Sequence, residues 1–188
     1  SNSYRNCYLE GHWQSEEYFK DFREELINAF TFKQDCLTPH SIELGKQLRS
    51  QNSVSIHVRR GDYITEENFK NIYAECGQRY FTDSMNFINS KIQNTKFYIF
   101  SDDIEWAKSQ PYFNSCNFIY NDKINGESSI NDLYLMSCCK HNIIANSSFC
   151  WWGAWLNNNF NKIVVAPKVW FKKNPQPTDL IPKNWKKI

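Results

Sequence analysis

Cysteine pairs at CxxC spacing are missing from this chain: it has seven cysteines, an odd number, and the two nearest, Cys138 and Cys139, are adjacent. That pattern serves neither a disulfide framework nor a zinc site, and it suits reduced thiols in a cytosolic protein. The four histidines, His12, His40, His57 and His141, lie too far apart for metal-ligand spacing. No apolar run approaches the length of a membrane span, and no signal peptide is visible. An excess of either charge is lacking too. The formal net charge of +2 gives no reason to expect nucleic acid or an acidic membrane as partner. Internal repeats and low-complexity stretches are also absent. The opening, SNSYRNCYLE, has no initiator Met, so a fragment of a longer chain is expected.

Aromatic residues, by contrast, are abundant at 16% of 188 residues, enough for a deep core or a ring-stacking pocket. The length suits one substantial domain. Residues 15–33 place Tyr18, Phe22, Leu26 and Ala29 at helical spacing, which predicts an amphipathic helix, and 41–51 predicts a second, short one. Apolar strands are expected at VSIHV (54–58), FYIF (97–100), NFIY (117–120), NIIA (142–145) and KIVVA (162–166). Helices are expected between them at 78–92, through Trp106, from Ser129 to Lys140 and over FCWWGAWL. RRGDYITEEN and NDKINGESS read as polar loops, and the Trp-, Lys- and Pro-rich tail as surface wrapping. Strands that are apolar throughout and alternate with helices predict an α/β fold, a Rossmann-like parallel sheet with helices on both faces. Such sheets bind ligands beyond the carboxyl ends of their strands. Here those ends read RRGD, SDD, YND and ANSS.

Several readings compete at this rim. Arg59 and Arg60 can grip an anion through two planar guanidiniums, can be solvated or paired with Asp62, or can belong to an exposed RGD adhesion loop. Their place at a strand end favours the anion site. Ser147, Ser148 and Phe149, at a strand-to-helix turn, offer either a phosphate cradle or an ordinary serine cap. Asp102 and Asp103 make a poor metal site without a third ligand, and stand level between capping the next helix and meeting a ligand's hydroxyls or base. Asp132 either closes a capping box with Ser129 or accepts from guanine. Trp151, Trp152 and Trp155 favour core over a sugar-stacking platform.

HVRRGDY (57–63), FSDD (100–103) and DLYLMSCCKHNIIANSSFCWWGAWL (132–156), in this order, resemble the α-1,2-fucosyltransferases of glycosyltransferase family 11, as does YLEGHWQSEEYF (8–19). Cys150 stands where the family usually has Ser, and the family's Gly-rich opening segment, a GGLGNQ-like motif, is missing. The chain therefore corresponds to roughly the C-terminal two-thirds of an enzyme. The resemblance implies the C-terminal lobe of a GT-B glycosyltransferase, with a helical segment at 1–50 leading in from the other lobe and a GDP-fucose domain at 51–188. It implies inverting transfer of L-fucose from GDP-β-L-fucose to the 2-hydroxyl of a terminal galactose, with no metal or other cofactor. By position, Arg59 and Arg60 would hold the diphosphate, His57 and Asp132 the guanosine, and Ser101, Asp102 and Asp103 the donor rim. Ser147, Ser148 and Phe149 would complete the phosphate site. Asp62 is the first candidate for the carboxylate base, with Glu67 and Glu66 behind it. A galactose-terminated oligosaccharide is the expected acceptor, bound mainly by the other lobe. The expected location is cytoplasmic, with peripheral attachment at the inner membrane face left open. A non-catalytic nucleotide-sugar-binding domain and a transferase using another GDP-sugar are the alternatives.

Overall fold

The computed structural model describes residues 8, 10, 14–120, 128–173 and 175–188. Six strands form one sheet: β1 (Ser53–Val58), β2 (Lys96–Ser101), β3 (Asn117–Phe118), β4 (His141–Ile143), β5 (Val164–Ala166) and β6 (Lys186–Lys187). Their order is β3-β2-β1-β4-β5-β6, and every neighbouring pair is parallel. This is the doubly wound order, in which the chain runs outward from β1 to one edge, returns to the centre and runs outward to the other. The switch in direction falls between β1 and β4.

Alternation along the strands fills two cores. Val54, Ile56 and Val58 of β1 pack with Phe97, Ile99, Ile143 and Val165 against Phe81, Met85 and Ile88 of α5 (Gln78–Asn89). The other face carries Tyr98, Phe100, Ile144 and Ala166. Covering it are α2 (Pro39–Ser50), α7 (Ser128–Cys138) and α8 (Ser148–Leu156). α2 starts with Pro39 at its first turn, where the missing N–H costs nothing, and the Thr38 hydroxyl accepts from the Ser41 N–H at 3.0 Å. Its Gly45 admits Tyr134 of α7, since a Cβ there would lie 2.6 Å from the tyrosine oxygen.

Three expectations are corrected. Residues 15–33 do not form one helix: two 3-10 turns precede α1 (Arg23–Ala29). Tyr18 and Phe22 face solvent, and Phe19 turns inward instead, stacked on Trp152 at 5.4 Å and edge-on to Trp151 and Trp155. Phe19 itself leaves the helical region (φ −146°, ψ 7°), so aromatic packing overrides the periodicity. RRGDYITEEN is no loop but holds α3 (Gly61–Thr65) and the start of α4 (Glu67–Ile72), joined at Glu66. Finally, the tail is core. Trp170, Leu180, Ile181 and Trp185 are buried, the Trp151 indole N–H donates to the Leu180 carbonyl at 2.8 Å, and β6 completes the sheet beside β5. The expected loop at 121–129 falls almost wholly outside the described residues.

Candidate functional site

The carboxyl ends of β1 and β4 flank a cleft of about 470 Å³. It is lined by His57, Arg59, Asp62, Ser101, Asp102, Asp132, Ser147, Ser148 and Phe149, so one cavity collects all the expected site residues except Arg60, Glu66, Glu67 and Asp103. Arg60 lines an adjoining cavity of about 270 Å³ together with Tyr63, Tyr73 and Trp106. Glu67 is exposed in the first turn of α4 and lines neither.

Arg59 continues the outward sequence of β1, and its guanidinium is held between two carboxylates, Asp62 at 2.7 Å and Asp102 at 2.9 Å. Register explains the second contact: Val58 pairs with Ser101 across the parallel β1–β2 ladder, so the residues that follow each strand meet. Asp102 also accepts the Arg60 backbone N–H at 2.9 Å, which ties the two strand ends together. Gly61 is required here by close approach, because a Cβ would stand 2.7 Å from the Asp102 carboxylate. Arg60 lies over the Trp106 ring at 3.7 Å and donates through Nε to Asp103 at 3.3 Å. Asp103 in turn caps α6 (Ile104–Ser109) by accepting from the Trp106 N–H.

The pairing of Arg59 with Asp62, set against the anion site in the sequence, is thus present. Two arginines face three aspartates, so the resting rim carries no cationic excess. Both side chains still reach solvent, at 31% and 21% exposure, and a guanidinium has five N–H donors. The Nε of Arg59 and both terminal nitrogens of Arg60 make no ion pair among the described residues. The adhesion reading is overturned: the RGD tripeptide opens α3, its arginine stacked on Trp106 and its aspartate bound to Arg59.

His57 is 5% exposed, and its Nδ1 has no hydrogen-bond partner among the described residues. Burial, helped by the neighbouring Arg59 charge, lowers its pKa to about 3, so the imidazole is neutral. This nitrogen is itself enclosed, while the residue lines the cleft. Phe149 packs beside it at 5.8 Å. Ser147 holds the N-cap position of α8 with extended geometry but makes no side-chain cap bond, so the ordinary serine-cap reading fails there. Ser129 sits within the first turn of α7, which begins at Ser128, and is therefore not the N-cap of a box with Asp132.

What the sequence did not reveal is an aromatic wall. Tyr63 stacks on Tyr73 at 4.4 Å with 11° between the rings, Phe69 flanks both, and Tyr63 donates its hydroxyl to the Asn146 carbonyl at 2.9 Å. Asn146 is buried, and its amide bridges the carbonyls of Ala74 and Trp170. No helical period announces the wall, since Tyr63 and Phe69 stand six residues apart in separate helices and Tyr73 follows the end of α4. Of the three tryptophans, Trp151 and Trp155 are core, while Trp152 is half-buried.

The fold and cleft define a doubly wound α/β protein with a polar ligand site at the switch point of its sheet. A sequence model of glycosyl transferase family 11 matches residues 2–188, and the chain belongs to that family. It is 40% identical over 181 residues to an α-1,2-colitosyltransferase of Escherichia coli, covering 95% of this chain and 61% of the relative. It is 25% identical over 148 residues to a galactoside α-(1,2)-fucosyltransferase of Saimiri boliviensis boliviensis, covering 74% of this chain and 40% of the relative. The chain thus spans about three-fifths or less of these relatives. A looser likeness, TM-score 0.46 at 15% identity over 67% of this chain and 42% of the other, links it to the crystal structure of NodZ α-1,6-fucosyltransferase soaked with GDP-fucose.

Proposed function

We propose that this chain is the donor-binding part of an inverting α-1,2-glycosyltransferase, the C-terminal lobe of a GT-B enzyme, which moves L-fucose from GDP-β-L-fucose to the 2-hydroxyl of a terminal galactose. The observation that carries it is the convergence of the β1 end (His57, Arg59, Asp62) with the β4 end (Ser147, Ser148, Phe149) in one cleft of a family 11 chain. The diphosphate would take over N–H donors of Arg59 and Arg60, drawing them from their aspartates, with the uncapped start of α8 beside it. His57 and Asp132 would meet the guanosine, and Ser101 and Asp102 would line the donor rim, with Asp103 holding Arg60 in place.

As the bond from the anomeric carbon to the diphosphate breaks, negative charge builds on the leaving group, and the arginines stabilise it without a metal ion. The galactose hydroxyl attacks from the opposite face and gives its proton to a carboxylate. Asp62 is our first assignment for that base because it lines the cleft; Glu67 is the second.

The test is a donor-hydrolysis and transfer assay on the full-length protein with a β-galactoside acceptor and chelator present. Transfer that survives the chelator, falls about 10²–10³-fold in Arg59→Ala, and collapses in either Asp62→Asn or Glu67→Gln supports the reading. GDP binding with no turnover by the complete protein would make it a non-catalytic domain. The similarity to a colitosyltransferase favours a second donor, since colitose is fucose without its 3-hydroxyl. A site that hydrogen-bonds that hydroxyl would favour GDP-fucose by as much as ~10⁴ over the deoxy sugar. Comparable kcat/KM for the two donors, or preference for GDP-colitose, would move the assignment to the second.

A further inference from the structure

Behind the aromatic wall lies a larger groove of about 730 Å³, within the range of roughly 300–1,000 Å³ that small-molecule sites occupy. It shares Tyr63, Tyr73 and Ser148 with the candidate donor cleft, so the two cavities meet across a common wall. Its own walls come from distant parts of the chain: Tyr18 from the first 3-10 turn, Trp152 from α8, and Trp170 and Phe171 from the tail. The Ser15 hydroxyl donates to the Asp179 carbonyl at 3.1 Å and so fastens the first turn to the tail.

The chemistry of this lining differs from that of the donor cleft. No lysine, arginine or histidine is among its described residues, so none of these supplies a cationic side chain for a phosphate or carboxylate. Aromatic side chains dominate instead, and Ile72 is exposed within it. Polar groups stand among the rings: Asp179, Gln14, the Ser15 and Ser148 hydroxyls and those of the tyrosines. Aromatic faces with a carboxylate and an amide at the edge suit an uncharged sugar, which has C–H faces to lay on rings and hydroxyls that both donate and accept.

We propose that this groove binds the acceptor, an uncharged galactose-ended glycan, and presents its terminal residue to the donor cleft across the Tyr63–Tyr73 wall. The inference rests on the transferase reading for the direction of presentation, and it places acceptor recognition on this part of the molecule rather than mainly on another lobe, as the family resemblance implies. Asp179 accepts from a ring hydroxyl.

Binding is measured on this chain by ligand-observed NMR with lactose and with a β1,3-linked galactosyl disaccharide, alone and with saturating GDP. Saturable binding of at least one disaccharide is expected, unchanged by GDP and weakened about tenfold in Tyr18→Ala and in Asp179→Asn, the size of one lost contact. Both variants should keep the wild-type unfolding midpoint and the wild-type protection by GDP. Displacement of the disaccharide by GDP, or variants that bind it normally, would overturn the proposal. If neither disaccharide binds while GDP still protects, the groove assignment fails and the donor reading stands. If a disaccharide binds as expected while GDP gives no protection, the reverse holds.

Discussion

Gly61 shows how narrowly single positions set the rim. Its Cα hydrogen faces the Asp102 carboxylate, and any side chain would drive that group away from Arg59 and from the Arg60 N–H. Gly61→Ala should therefore cost about 1–3 kcal/mol of stability by overpacking, seen as a lowered urea midpoint, and should weaken GDP binding along with it. His57 makes a second expectation, with its sign fixed by linkage. The folded protein keeps the imidazole neutral down to about pH 3, while the unfolded chain protonates near its ordinary 6.5. The unfolded state binds the extra proton in between, so this residue's contribution is intact above pH 6.5 and is lost as pH falls toward 3. His57→Gln should flatten that part of the stability–pH curve relative to wild type, as equilibrium unfolding at stepped pH will show. The sequence disclosed His57 and Arg59, because strand alternation and a parallel-strand end are local facts. It did not disclose that Arg59 reaches Asp102, for that depends on the β1–β2 register between segments some forty residues apart.

Helix ends decide the next scale. The last turn of α8 leaves carbonyls that no helical N–H can meet, and a half-buried lysine collects them: Lys162 Nζ donates to Ala154, Trp155 and Asn157 at 2.7, 3.1 and 2.7 Å. Arg23 adds a bond to the Trp155 carbonyl at 2.9 Å and lies 4.2 Å from that indole's centroid. Burial pulls the Lys162 pKa down to about 7, against which the three carbonyls favour the ammonium form. Lys162→Met fills similar space but strands these carbonyls, and should destabilise the protein by about 1–3 kcal/mol in thermal unfolding. Most elements were legible from period and caps: α2 from its Thr-Pro start, α5 from Phe81, Met85 and Ile88, the strands from unbroken apolar runs. α3 and α4 were not, because five or six residues give too little period to read, and their aromatics pack on each other and on Phe171, which is distant in sequence.

Across the whole molecule, the segment around Phe19 and the C-terminal tail are parts of one core. Phe19 caps the indoles of α8, and the tail brings Trp170, Leu180, Ile181 and Trp185 beneath them before β6 joins the sheet. Trp185→Ala should cost about 3–5 kcal/mol and lower the midpoint of a single cooperative transition, because its ring packs on Trp151. Sequence reading placed the parallel sheet and its polar rim correctly but took the tail for wrapping, since a two-residue strand carries no pattern and its lysines look solvated. The rim's self-pairing, finally, has a bearing on competition. Aspartates that occupy the arginines at rest reduce apparent affinity for every anion equally, and only a ligand with several simultaneous holds recovers the loss. Inorganic sulfate or phosphate, offering one hold each, should leave GDP binding almost untouched even at tens of millimolar. The same groups that make the site harder to enter thus keep it from being silted up by common ions.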